Sequence, residues 1–380
     1  MEHEAADQFP YAGLALRDRD NGGFVVELYV GQTFAEYTID GVLGRGGMGC
    51  VYLARHPRLP RQVALKLLAS ELSLDDELRR RFDQEANAIA RLDHPNIVGI
   101  LDRGVDDGHL WIAMQYVEGS DAARLNPRAL SVERALRIVS ETAAALDYAH
   151  SRGILHRDVK PANILLSRAD TGRDERAILT DFGIARLLDA NTQLTSTGTF
   201  TATLAYASPE QLSGERVDHR SDQYSLACTL FALLAGNPPF PATNPGQVVA
   251  GHLSKPIPQL SGVRPDVPPM FDAVLARATS KRPEDRFASC SEFTAAAAAV
   301  SARMPTPSSR MAPTVVAAAS NMAHPGTSPS PAKSPAVQQV SDESQPVSVT
   351  RRRLVMLGLV ALPTASVGLA IAAQKAADNH

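Results

Sequence analysis

The chain has 380 residues, with 38 Lys+Arg against 41 Asp+Glu and a formal net charge of -3. That length admits one large domain with appendages or two smaller domains, and the near-neutral balance lacks the basic excess of a nucleic-acid binder. Three scattered cysteines, Cys50, Cys228 and Cys290, are too few for a disulfide framework or a Cys-rich zinc site, so the folded part is expected in a reducing compartment.

Residues 1–36 begin acidic and carry one short apolar run, Phe24-Val25-Val26. They lack the basic start and long apolar core of a signal peptide, and a flexible extension is expected. Strand patterns follow at Tyr37-Val42, Val51-Ala54 and Gln62-Leu67, punctuated by Gly or Pro. Leu72 to Leu92 reads as a helix, because Leu78, Phe82, Ala86 and Ile89 recur at spacings of three and four. Two more strands are expected at Ile97-Leu101 and Leu110-Tyr116. Beyond them the pattern turns helical: Val132-His150, Ser221-Ala235, Met270-Thr279 and Ser291-Ala302. The order predicts two unlike lobes, a small sheet with one helix (37–117) and a larger helical body (118–302). Their junction near Val117-Asp121 is expected to be flexible at Gly119-Ser120.

Residues 303–350 are dominated by Pro, Ser, Thr and Ala and hold no period, the composition of a disordered linker. Arg351-Arg352-Arg353 then precedes twenty uncharged residues, Leu354 to Ala373. As a helix these would extend roughly 30 Å, enough to cross a bilayer. The three arginines favour the inner side, which predicts a single-pass protein of the cell membrane. Its folded domain would be cytoplasmic, with residues 374–380 as a short external tail.

Four motifs carry chemistry. Leu43-Gly44-Arg45-Gly46-Gly47-Met48-Gly49-Cys50-Val51 contains G-x-G-x-x-G-x-V. A dinucleotide-binding loop would open a helix; here a strand pattern follows, so the glycines belong to a hairpin whose backbone can lie over a triphosphate. In Val63-Ala64-Leu65-Lys66, Ala64 and Lys66 point to one side of a strand, leaving room for a flat base and sending an ammonium toward phosphates. Glu85 is the expected partner of that ammonium. His156-Arg157-Asp158-Val159-Lys160-Pro161-Ala162-Asn163 supplies a carboxylate (Asp158) for an acceptor hydroxyl, a cation (Lys160) for the transferred phosphoryl and an amide (Asn163) for a metal. Asp181-Phe182-Gly183 follows eighteen residues after Asn163 and offers the hard oxygen that Mg²⁺ requires.

Together these motifs resemble the bacterial, actinobacterial-type transmembrane Ser/Thr protein kinases of the eukaryotic-like family, over about Tyr37 to Val300. The resemblance implies an α+β fold with a mainly β N-lobe and a helical C-lobe, plus one C-terminal transmembrane helix. It implies transfer of the γ-phosphoryl of ATP to Ser/Thr hydroxyls of proteins, with Mg²⁺, or Mn²⁺ in its place. Catalysis would fall to Asp158, Lys160, Lys66 and Glu85, and metal binding to Asn163 and Asp181. The glycine-loop residues 43–51 would cover the nucleotide, with Leu43, Val51, Ala64 and Leu165 around adenine. Gln115 and Val117 would give backbone hinge contacts behind the gatekeeper Met114, and Asp121 would contact the ribose. Ile89, Ile100, His156 and Phe182 would form a hydrophobic stack between the lobes. Glu210 would pair with Arg286, and Asp222 would brace the catalytic loop. The family spacing places regulatory phosphorylation at Thr195 and Thr197, ahead of the substrate-facing Thr203, with self-association for autophosphorylation. Ala202 and Ala227 depart from the family's glycines without removing a chemical group. A catalytically weak membrane scaffold of the same fold is the alternative.

Overall fold

The computed structural model describes residues 15–17, 24–46, 49–68, 76–170, 172, 174–182 and 204–302. The chain divides into two units, Met1–Ala312 and Pro313–His380, and the second lies wholly outside the described residues. So does the expected membrane segment 354–373. Among the described residues no helix is long and apolar enough to cross a membrane.

Two short strands, β1 (Ala15–Arg17) and β2 (Phe24–Val26), pair antiparallel as a separate ribbon. The main sheet has six antiparallel strands: β3 (Thr33–Phe34), β4 (Tyr37–Gly46), β5 (Gly49–Arg55), β6 (Gln62–Leu68), β7 (Ile100–Asp106) and β8 (His109–Gln115). Their spatial order is β3-β4-β5-β6-β8-β7. Asp107 and Gly108, both at positive φ, make the two-residue β7–β8 turn that suits the sheet's twist.

The sheet's two faces have different fates. Cys50, Tyr52, Val63, Leu65, Leu67, Trp111 and Ala113 form one apolar cluster, closed by Leu28, Phe34 and Tyr37. Leu28 and Phe34, upstream of the expected boundary at 36, therefore pack into this lobe. A two-residue strand and one isolated leucine carry no period, so the sequence pattern does not announce them. The other face turns Ala64 and Leu68 toward the larger core, which also takes in Phe82 and Ile89 of α1 (Asp76–Ala90).

The junction carries a strand of its own. Gly119–Asp121 forms β9, paired with β10 (Ile164–Ser167), which pairs in turn with β11 (Ala177–Leu179). Gly119 sits at φ +157°, and a Cβ there would come within 1.9 Å of the Leu166 carbonyl oxygen, so only glycine fits. The helical body is built on α2 (Val132–His150), capped by Ser131, and on α4 (His219–Ala235), reached through the short α3 (Pro209–Leu212). From Ser221 to Leu234 every residue of α4 is buried, and Gly236 ends it in the left-handed conformation. Helices α5 (Pro245–Ser254), α6 (Pro269–Ala278) and α7 (Cys290–Ser301) complete the body.

Candidate active site

The glycine motif occupies the β4–β5 hairpin, as the strand pattern requires. Gly49 lies at φ +132°, and a Cβ on it would strike the Leu67 carbonyl oxygen, so its close approach to β6 is reserved for glycine. Gly47 and Met48 lie outside the described residues, whereas Arg45 forms an ion pair with Glu27 of the preceding segment. Cys50 is buried with its Sγ 3.4 Å from the Gly44 carbonyl, a core thiol.

Register places the next groups. Gly44 pairs with Val51, Val51 with Lys66, and Ala64 with Met114, while Leu165 pairs with Asp121. The residues expected around a nucleotide thus come from the adjacent strands β4, β5 and β6 of the main sheet and from β10 of the three-stranded sheet. Leu43 is exposed, Val51, Ala64, Val117 and Leu165 are half-buried, and Gln115 is exposed at the end of β8.

Asp222, buried at the start of α4, organises the catalytic loop. Its Oδ2 accepts the His156 N–H at 2.8 Å and its Oδ1 accepts the Arg157 N–H at 2.7 Å, which holds Arg157 at φ +68°. His150 Nε2 lies 2.7 Å from Oδ2. Burial alone would raise the Asp222 pKa, but hydrogen bonding and charge from His150 prevail and hold it low. Burial likewise lowers the His150 pKa, and Asp147 and Asp222 outweigh it to hold the ring up at about 9. A further brace is invisible in the sequence: Gln211 Nε2 donates to the Arg157 carbonyl at 2.9 Å, tying α3 to the loop.

The loop fixes its carboxylate from two sides. Lys160 Nζ is 2.8 Å from Asp158 Oδ2, and Asn163 Nδ2 donates both to that oxygen at 3.0 Å and to the Asp158 carbonyl at 2.8 Å. The amide nitrogen is thereby committed, leaving Asn163 Oδ1 as the acceptor. The Thr180 N–H donates to the Asn163 carbonyl at 3.0 Å, bringing Asp181 beside it. Asp181 stands at φ +62°, and Phe182 packs on His156 with ring centroids 4.6 Å apart. Ile89 and Phe182 share one core cluster, with Ile100 packed against it.

Lys66 meets a second carboxylate: its Nζ is 2.7 Å from Asp181 Oδ1. Asp181 is half-buried, and desolvation raises its pKa, but the Lys66 ammonium prevails and holds it below the usual carboxylate range. Lys66 is itself only 6% exposed, so its ammonium needs a neutralising carboxylate in place. The expected Glu210–Arg286 pair does form, bidentate at 2.7 and 2.8 Å and buried. Gly183, Thr195, Thr197 and Ala202 lie outside the described residues.

Residues 37–295 match the protein kinase domain family. The chain belongs to that family. Among its curated relatives is the Mycobacterium tuberculosis serine/threonine-protein kinase PknJ, 54% identical over 276 residues, which are 72% of this chain and 46% of the relative. Serine/threonine-protein kinase PknF of the same organism is 49% identical over 267 residues, 69% of this chain and 56% of its own. The chain thus spans about half the length of these curated relatives. The crystal structure of the M. tuberculosis PknI kinase domain is 43% identical, with a TM-score of 0.58, covering 72% of this chain and all of that one. The kinase domain here is therefore of the bacterial eukaryotic-like Ser/Thr type.

Proposed function

We propose that this kinase domain transfers the γ-phosphoryl group of ATP to Ser/Thr hydroxyls of proteins, including its own. The observation that carries the reading is the Asp158 carboxylate, fixed by Lys160 and Asn163 within a loop that Asp222 braces. Asp158 orients the acceptor hydroxyl and receives its proton, while Lys160 neutralises charge on the moving phosphoryl. Asn163 Oδ1 and the Asp181 carboxylate make an all-oxygen donor pair that suits Mg²⁺. A bound Mg²⁺ would neutralise phosphate charge and fix its orientation. Lys66 then serves the α- and β-phosphates, which requires it to leave Asp181. A weak scaffold is disfavoured, because every charged group the transfer needs is present.

In the same reading the chain is anchored in the cell membrane by 354–373 with its kinase domain cytoplasmic. It self-associates for intermolecular phosphorylation at Thr197, with Thr195 as the second site. Protease access on sealed cells and carbonate extraction test the topology. Release into the soluble fraction would contradict it. Incubation of the purified chain with ATP and Mg²⁺, followed by mass-spectrometric site mapping, tests the acceptor class. Phosphate on Ser or Thr is expected, and phosphate confined to Tyr would refute the reading.

A further inference from the structure

The last turn of α2 and the first turn of α7 meet at a second cluster, outside the phosphate-transfer groups. Asp147 and His150, three apart on one helix face, stand against Cys290, and their ligand atoms all lie within 4.8 Å of one another. Asp147 is fixed by α7: its Oδ1 accepts the Cys290 N–H at 3.0 Å and its Oδ2 the Ser291 N–H at 2.9 Å. The His150 side chain is only 8% exposed and is anchored through Nε2 to Asp222. Its Nδ1, 3.9 Å from Asp147 Oδ1, is buried without a hydrogen-bond partner. Cys290 is fully buried. The ring nitrogen faces both a carboxylate and a thiol, so three metal-ligating side chains converge on one point.

We propose that Asp147, His150 and Cys290 bind a thiophilic divalent cation of the zinc type. The donor set is one thiolate, one imidazole and one carboxylate, three protein ligands with a fourth position for water. The far nitrogen of His150 rests on Asp222, the outer carboxylate that commonly orients a metal-ligating histidine. Metal–ligand bonds of about 2.0–2.3 Å need the three donors to draw together by roughly an ångström. Thiolate and carboxylate together offset the dication, so the buried site stays neutral, and binding releases the Cys290 thiol proton and any proton on Nδ1. The Asp147 side chain, 26% exposed, marks the entry path. Without the metal, the imidazole's own positive charge occupies the gap between Asp147 and Asp222. The site lies one ring away from the carboxylate that holds the His156 and Arg157 amides, so occupancy fixes the His150 ring and stiffens the catalytic loop.

Cobalt(II) titration of the full purified chain, dialysed against chelator, tests the site. One Co²⁺ per chain is expected, with a thiolate-to-cobalt charge-transfer band that Zn²⁺ displaces. Cys290→Ser should abolish the band and weaken Co²⁺ binding by at least about tenfold, whereas Cys228→Ser should leave both unchanged. Alkylation of the wild type should show Cys290 as the cysteine that Co²⁺ protects, a reading that needs no variant. Absence of a thiolate band in the wild type, its survival in Cys290→Ser, or protection of another cysteine would overturn the proposal. Phosphotransfer is not the readout, so failure here leaves the kinase reading intact.

Discussion

Lys66 and Asp181, 115 residues apart in the chain, meet as an ion pair with Nζ 2.7 Å from Oδ1. The pair joins the N-lobe sheet to the Asp181 loop and holds the carboxylate ionised. It also means that a metal–nucleotide complex competes for both partners. Asp181→Asn is therefore expected to weaken ATP binding at least about tenfold when Mg²⁺ is present, about 1.4 kcal/mol. It should leave metal-free nucleotide binding unchanged or stronger, because Lys66 is released to the phosphates. Calorimetric titration with and without Mg²⁺ reads both effects. Equal Mg²⁺ dependence in wild type and variant would contradict the assignment.

The Glu210–Arg286 pair closes the C-lobe. Both side chains are buried, and Ser221 Oγ, the Arg220 carbonyl and the Ser280 carbonyl complete the network. Removing one partner strands the other charge, so Glu210→Ala should cost about 3–5 kcal/mol in chemical denaturation. The double variant Glu210→Ala, Arg286→Ala should lose less than the sum of the single ones, since no orphaned charge remains.

His252 gives the stability a pH dependence. It is fully buried, with Nδ1 2.9 Å from the Tyr224 hydroxyl and Nε2 3.1 Å from the Ala205 carbonyl. Burial pushes its pKa down to about 4, only partly opposed by the Ala205 hydrogen bond. The unfolded chain protonates near 6.5, so this group's contribution is intact above that value and is lost as pH falls toward 4. The loss approaches the order of 3 kcal/mol at the low end. Urea midpoints measured at pH 7 and pH 4.5 should converge in His252→Gln relative to wild type. An identical pH slope in both proteins would remove His252 from the account.

Phosphorylation of the segment before Thr203 should raise activity. A phosphothreonine adds roughly -1.5 to -2 charge, and Arg157 next to Asp158 is the cation it would engage. Initial rates of phosphatase-treated wild type and of the Thr195→Ala, Thr197→Ala double variant are expected to fall well below the phosphorylated form. Unchanged rates would make Arg157 a packing residue.

Much of this architecture was legible because its chemistry is local. The glycine hairpin follows from glycines flanked by strand patterns, and Asp158, Lys160 and Asn163 act within a span of six residues. What escaped is held by distant contacts or by segments too short to show a period. The Lys66–Asp181 pair spans 115 residues, and only tertiary packing brings it together. Gln211 reaches the Arg157 carbonyl across 54 residues, with no motif of its own. Gly119–Asp121 looked like a hinge because glycine and serine mark turns, yet its glycine is there to let β9 lie against Leu166. Leu28 and Phe34 looked like part of an arm, yet they cover an apolar sheet face that would otherwise meet water.

The most direct test is transfer of γ-labelled phosphate from ATP to a protein acceptor by the purified chain, wild type against Asp158→Asn. The asparagine keeps the shape of the loop but cannot take the acceptor's proton. A drop of about 10²- to 10⁴-fold in turnover with ATP affinity retained is expected. Near-normal turnover by Asp158→Asn would contradict the role given to this carboxylate.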